Sequence, residues 1–128
     1  MNEKKKRRVP AYLRKRKRYI VYQVWPAGNP TPGFNDVDRA IRSSVRSFLG
    51  DHGAAQAGVW VMKDRYDPAT GQGLVRCVHE RVDQVRASLA LVTGIGDARV
   101  RIDTLGVSGS IRTAKRKFTG DENGTNDT

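Results

Sequence analysis

The chain has one cysteine, two histidines and no long apolar run, and each scarcity removes a class of function. A single cysteine rules out an intrachain disulfide. Cys77, with Val75 and Val78 beside it, is expected to be a buried packing group without chemistry of its own. No window approaches the roughly 18 apolar residues of a membrane-spanning helix. The basic N-terminal run has no apolar segment behind it, so neither secretion nor membrane insertion is expected, and the expected location is the cytoplasm. Spacing suggests no Ser/His/Asp or Cys/His set and no Walker loop, so no catalytic residue is expected here.

Acidic residues are scarce where basic ones are dense. Of 24 Lys and Arg residues, 14 lie in two terminal segments that contain a single acidic residue, Glu3. Residues 1 to 18 carry a net +9 and residues 108 to 118 a net +4, whereas residues 19 to 107 hold ten basic against nine acidic groups. A near-neutral body with cationic ends points to a polyanion, because each basic group set against a phosphate releases condensed counterions. RNA, DNA and an anionic membrane surface all fit that charge.

The pattern divides into a basic arm (1–18), one domain (19–118) and a polar tail (119–128). Within the arm, the like-charged block Lys4 to Arg8 repels itself and is expected to order only on a partner. Tyr19 to Trp25 reads as a strand, ended by Pro26, Gly28, Pro30, Pro32 and Gly33. A helix is expected from an Asn35 N-cap, with Asp36 and Asp38 at its positive end and Val37, Ile41, Val45, Phe48 and Leu49 as its apolar stripe, stopping at Gly50 and Gly53. Residues 54–63 then read as a second strand, the turn-forming Asp64 to Gly73 as a long tip, and Leu74 to His79 as a third strand. A second helix follows from about Arg81 to Val92, then a fourth strand from Arg99 to Leu105. Ser108 to Phe118 reads as an amphipathic basic helix with Ile111, Ala114 and Phe118 on its apolar side.

The order β-α-β-β-α-β predicts an α+β, ferredoxin-like split βαβ sandwich, similar to an RNA-recognition motif: one antiparallel four-stranded sheet, two helices on one face, and a C-terminal basic helix. Strand alternation sets Val75 and Cys77 on one face of the third strand and Leu74, Arg76 and Val78 on the other. With Val21, that second set is expected to line an open face that binds a partner protein; the alternative is burial under the terminal segments. Base stacking on the sheet is not expected, because Gly73 to His79 lacks the aromatics of an RNA-recognition strand.

Phosphate contacts are expected from Arg14, Lys15, Arg16, Lys17 and Arg18, and from Arg112, Lys115, Arg116 and Lys117 on the basic helix. The glycine-containing turn before that helix, through Gly106, Ser108 and Gly109, lets backbone approach an anion. A tight strand-to-helix turn needs those glycines in any case, and a solvated basic face is the bland alternative for the cations. His79, Glu80 and Asp83 invite comparison with a zinc motif. The second histidine is missing, however, and helix capping explains the two carboxylates, so no metal site is expected.

Four ordered motifs now carry a resemblance. Tyr12 to Ile20 leading into the first strand, Ala57-Gly58-Val59-Trp60-Val61, Gly73-Leu74-Val75-Arg76-Cys77 with His79-Glu80, and Thr104 to Ile111 together resemble the family of protein component 2 of archaeal ribonuclease P, a Pop family subunit. The resemblance spans about residues 10 to 118 and leaves out the first nine residues and the acidic tail. It implies a subunit of the ribonucleoprotein that removes the 5′ leader from precursor tRNA. The implied partners are the ribonuclease P RNA, precursor tRNA, protein component 3 in a heterotetramer of two copies each, and other ribonuclease P proteins, with no membrane. It also implies that catalysis lies in the RNA, which holds Mg²⁺, and that the protein binds no cofactor. Two competing classes are a ribosomal-type RNA-binding module without processing activity and a free-standing nuclease using His79, Glu80 and Asp83.

Overall fold

The computed structural model describes residues 15–28 and 30–118, the last three of them by backbone alone. Arg14, the Lys4–Arg8 block and the tail from 119 therefore lie outside the described residues, as do the side chains of Arg116 and Lys117. Five antiparallel strands form a sheet in the order β2-β3-β1-β5-β4. In chain order the elements are β1 (Lys17–Pro26), α1 (Phe34–Ala57), β2 (Trp60–Val61), β3 (Gln72–Val78), α2 (Val82–Ala90), β4 (Gly94–Ile95), β5 (Ala98–Ser108) and α3 (Ile111–Phe118). Short 3₁₀ turns at Lys63–Arg65 and His79–Arg81 link β2 to β3 and β3 to α2.

β1 is the centre of the sheet, paired on one side with β3 and on the other with β5. Its β-branched and aromatic run suits a strand buried on both faces, and Pro26 is confined to its end, where a missing N–H costs the ladder least. Ile20, Tyr22 and Val24 point to the face covered by α1 and α2, where they meet Val37, Ile41, Val45, Val85 and Leu89 in the main core. Tyr22 stands opposite Gly73 on β3, and its phenol occupies the space a side chain would need: a Cβ at Gly73 would lie 2.5 Å from the Tyr22 oxygen. The glycine that begins the RNA-recognition-like stretch is thus there to admit a tyrosine. Burial, with Tyr66 and Asp38 nearby, pushes that phenol's pKa far above its ordinary value.

The expected four-stranded sandwich holds in outline, with differences that have physical causes. α1 begins at Phe34 behind Gly33 rather than at an Asn35 cap, and Phe48 is exposed instead of completing the stripe. Gly50 (φ 78°, ψ 169°) interrupts the helix without ending it, a conformation essentially reserved for glycine. The alanine-rich segment after it, including His52, resumes the helix as far as Ala57, which is fully buried, and left-handed Gly58 caps it. Residues 54–57 are therefore helix, and β2 shrinks to two residues. Gly94 and Gly96, which follow α2, build an extra hairpin: Gly96 (φ 61°) turns β4 onto β5.

The larger correction concerns the second face. Val21, Leu74 and Val78 are buried, at 0%, 1% and 5% exposure, rather than lining an open surface. Val21 and Leu74 form a second small core with Ala114, flanked by Tyr19, Met62 and Ile111, because α3 folds back across the sheet. The apolar stripe of the basic helix covers Val21 and Leu74, which leaves those two no surface for a partner, whereas Val78 lies outside this cluster, beside Gly58. Cys77, fully buried on the main-core side, has its thiol pKa pushed up from 9.0 to about 11 by burial. A folded-state value above the unfolded one means the neutral thiol contributes in full below about pH 9 and its contribution is lost as pH rises through about 11. Ellman's reagent at neutral pH is expected to leave the native thiol unreacted and to titrate it once the chain is denatured. Fast native-state labelling would show that the core opens there.

Candidate nucleic-acid interface

The described part of the arm is anchored, because the carbonyl of Arg16 accepts a 2.8 Å hydrogen bond from the His79 N–H. Lys17 and Arg18 belong to β1, opposite Val78 and Cys77, so the strand begins inside the basic run. Lys15 Nζ donates to Glu80 Oε1 at 2.9 Å, Lys17 Nζ to the Lys15 carbonyl at 3.4 Å, and Arg18 Nη1 to the Lys17 carbonyl at 3.0 Å. The hydrogen bond from Lys15, and then its charge, holds the exposed Glu80 carboxyl below the usual range. That contact is therefore present at neutral pH and is lost on acidification. Arg16 is exposed and makes no ion pair among the described residues.

The turn before α3 is less open than its glycines suggest. Gly106 lies within β5 opposite Val21, and Ser108 is the last, buried residue of that strand, its hydroxyl donating to the Ser110 carbonyl at 3.0 Å. Ser110 acts as the N-cap of α3, its Oγ accepting from the Thr113 N–H at 3.1 Å, as a capping serine does. Gly109 faces Arg18, whose Nη1 would be 3.9 Å from a Cβ placed there, so the end of the arm and the start of α3 adjoin. On α3, Arg112 is exposed, while Lys115 leans into a cleft with Asp64, Asp67 and Leu74. The structure thus joins the end of the arm to the start of α3 at Arg18 and Gly109, while Lys115 lies further along, beside the β2–β3 connection.

Two exposed aromatic–cation pairs were missed in the sequence. Arg76 lies over the Trp60 ring at 5.0 Å and Arg101 over Trp25 at 5.7 Å; the Trp25 indole also donates to Asp103 at 2.9 Å. Trp60 and Arg76 are directly paired across β2 and β3, with Tyr19 the next residue in the row. The signal was available, since Trp60 shares strand parity with Arg76, but the register of a two-residue strand is invisible before folding. Arg76, expected at a protein interface, is engaged with Trp60, and its Nε has no hydrogen-bond partner among the described residues. His79, Glu80 and Asp83 do not converge: Glu80 is taken by Lys15, and Asp83 faces Arg86 at 4.0 Å from the first turn of α2. Among the described residues no group of three or more His, Cys, Asp or Glu side chains is arranged to hold a metal, and no helix is long and apolar enough to cross a membrane.

A model of the Rpp14/Pop5 family matches residues 18–119, from the start of the sheet through α3. The chain belongs to the Rpp14/Pop5 family. Among curated relatives, ribonuclease P protein component 2 of Pyrococcus horikoshii is 38% identical over 115 residues, covering 90% of this chain and 92% of that protein. The protein of the same name from Methanosarcina mazei is 34% identical over 117 residues, 91% of this chain and 95% of its own. That of Methanocaldococcus jannaschii is 38% identical over 112 residues, 88% and 79% respectively. A chain in the cryo-EM structure of yeast ribonuclease MRP superposes with a TM-score of 0.57 at 12% identity, over 75% of this chain and 76% of that one. At that identity the yeast chain shows that the Rpp14/Pop5 fold is shared and nothing more.

Proposed function

We propose that this chain is a protein subunit of ribonuclease P, binding and stabilising the catalytic RNA that removes the 5′ leader from precursor tRNA. The observation that carries it is the joining of two cationic segments, the end of the arm and α3, on a domain whose relatives are ribonuclease P components. Arg14 to Arg18 and Arg112, Lys115, Arg116 and Lys117 hold folded RNA by its phosphates, and the exposed Gly109 adds backbone beside them. Each neutralised phosphate lowers the electrostatic cost of compacting the RNA, which reduces the Mg²⁺ needed for folding. Catalysis and its Mg²⁺ belong to the RNA. Among the described residues the carboxylates are paired with basic groups or dispersed, with no cluster of oxygen donors of the kind that ion uses.

Within the particle the chain pairs with protein component 3, as a heterotetramer of two copies each, and adjoins other ribonuclease P proteins and precursor tRNA in the cytoplasm. With Val21 and Leu74 covered by α3, protein contacts fall on apolar residues that are exposed, such as Phe48 and Leu91 at 48% and 55%. The direct test is cleavage of precursor tRNA at low Mg²⁺ by the cognate RNA with component 3, with and without this chain. Strong stimulation is expected. Absence of stimulation with RNA binding retained would leave a structural RNA-binding module instead.

A further inference from the structure

A cavity of about 450 Å³ opens where the second segment of α1, the end of β3 and the first described residues meet. Its floor is apolar, made by Ala55, Gly58 and Val78, and Lys17, His52 and Arg81 stand at its rim beside Lys15. The charges at that rim are not equivalent. Lys15 is paired with Glu80, the carboxylate that Arg81 also approaches. Arg81 itself is gripped by two neutral carboxamides, Nη2 donating to Gln56 Oε1 at 2.7 Å and Nη1 to Gln84 Oε1 at 3.0 Å. Amides fix the direction of a guanidinium without cancelling its charge. Among the described residues Lys17 likewise has only a backbone carbonyl as its hydrogen-bond partner. The rim therefore carries a surplus of positive charge with one cation held in place before any ligand arrives.

The size is in the range of small-ligand sites, and an apolar floor beneath fixed cations suits a flat ring carrying a phosphate. The cavity is continuous with the arm, since Lys15 and Lys17 belong to both, so a phosphodiester chain following the arm crosses its rim. A base held in a duplex is not free to enter, whereas an unpaired one can be splayed into such a pocket. We infer that this groove is a subsite for one unpaired nucleotide of RNA, the base over Ala55, Gly58 and Val78 and its phosphates against Lys17 and Arg81. The inference rests on the RNA-binding role proposed above and adds to it a preference for unpaired RNA.

The test uses fluorescence anisotropy of the full chain with a short labelled oligouridylate and with an RNA duplex of the same strand length. Gln56→Glu sets a carboxylate on Arg81 and leaves the guanidinium in position. Ala55→Leu fills the floor from an exposed helical position without changing charge. Each is expected to weaken oligouridylate binding about tenfold, in line with the loss of one phosphate contact or of the apolar burial of one base, and duplex binding by no more than about twofold. Gln56→Glu should also reduce the salt slope on the oligonucleotide by about 0.7, and Ala55→Leu should not. Thermal melts check that both variants fold. If both bind oligouridylate like the parent while Arg16→Glu with Arg112→Glu loses affinity, the groove is not a nucleotide subsite and the RNA-binding role stands. If the parent binds neither RNA, that role falls and the subsite with it. Retained oligonucleotide binding with a changed sedimentation of the complex with component 3 would overturn the inference in favour of a protein occupant.

Discussion

Reversing charge at Arg16 and Arg112 together is expected to weaken binding to the catalytic RNA about a hundredfold at physiological salt and to lower the slope of log affinity against log salt by about 2. The two residues are chosen because both are exposed and neither belongs to an ion pair among the described residues, so substitution leaves the fold within about 0.5 kcal/mol of the parent. They also sample both cationic segments, one at the root of β1 and one on α3. If each contacts a phosphate, each removes close to one released counterion, so the slope change counts the contacts directly. An unchanged slope, with or without lower affinity, would mean that the RNA lies elsewhere. Loss of slope from one position alone would assign the contact to that segment.

Ala114→Asp is expected to destabilise the protein by about 3–5 kcal/mol, read as a lower midpoint in urea. Ala114 is fully buried against Val21 and Leu74, where a carboxylate has no partner and cannot stay ionised cheaply. The chain's escape is to release α3, which returns two of its most buried apolar side chains to water at about 1.5–3 kcal/mol each. The variant should therefore gain binding of a hydrophobic dye and a protease site near α3. RNA affinity should fall as well, although no cation has been changed, because Arg112 and Lys115 lose their fixed position on the sheet. A midpoint like the parent's would show that α3 is not docked in solution, and would restore the Val21 and Leu74 face as a partner surface. Leu74→Asp, the obvious variant for a partner surface, would instead unfold this same small core.

How far the molecule could be read before folding depended on whether the deciding interaction was local. The stripe Val37, Ile41, Val45, the β-branched run of β1 and the alternation of Val75 with Leu74 are periodicities, and each element appears where they predict it. Residues 54–57 went astray because a two-state local choice, alanine-rich helix against a strand leading to Val59 and Trp60, is settled by the burial of Ala57 and the left-handed cap at Gly58. The apolar side of α3 was legible, but the sheet residues under it also had the pattern of an exposed partner surface. Amphipathicity says that a face must be covered, not by what. The Trp60–Arg76 pair and the Gln56 amide on Arg81 join residues distant in sequence, which no spacing rule exposes, whereas the Gln84 amide stands three residues from Arg81, a local spacing that was there to be read.

The interruption of α1 at Gly50 lets one helix serve two masters. The segment before the glycine is bound to the sheet by Val37, Ile41 and Val45, whereas the segment after it contributes His52, Ala55 and Gln56 to the groove. Since a single residue in a glycine-only conformation separates them, the pitch of the second segment is not dictated by the packing of the first. Surface changes between Asp51 and Gln56 can thus retune what the groove accepts while the sandwich beneath stays the same, which gives the molecule a module that can diverge on its own.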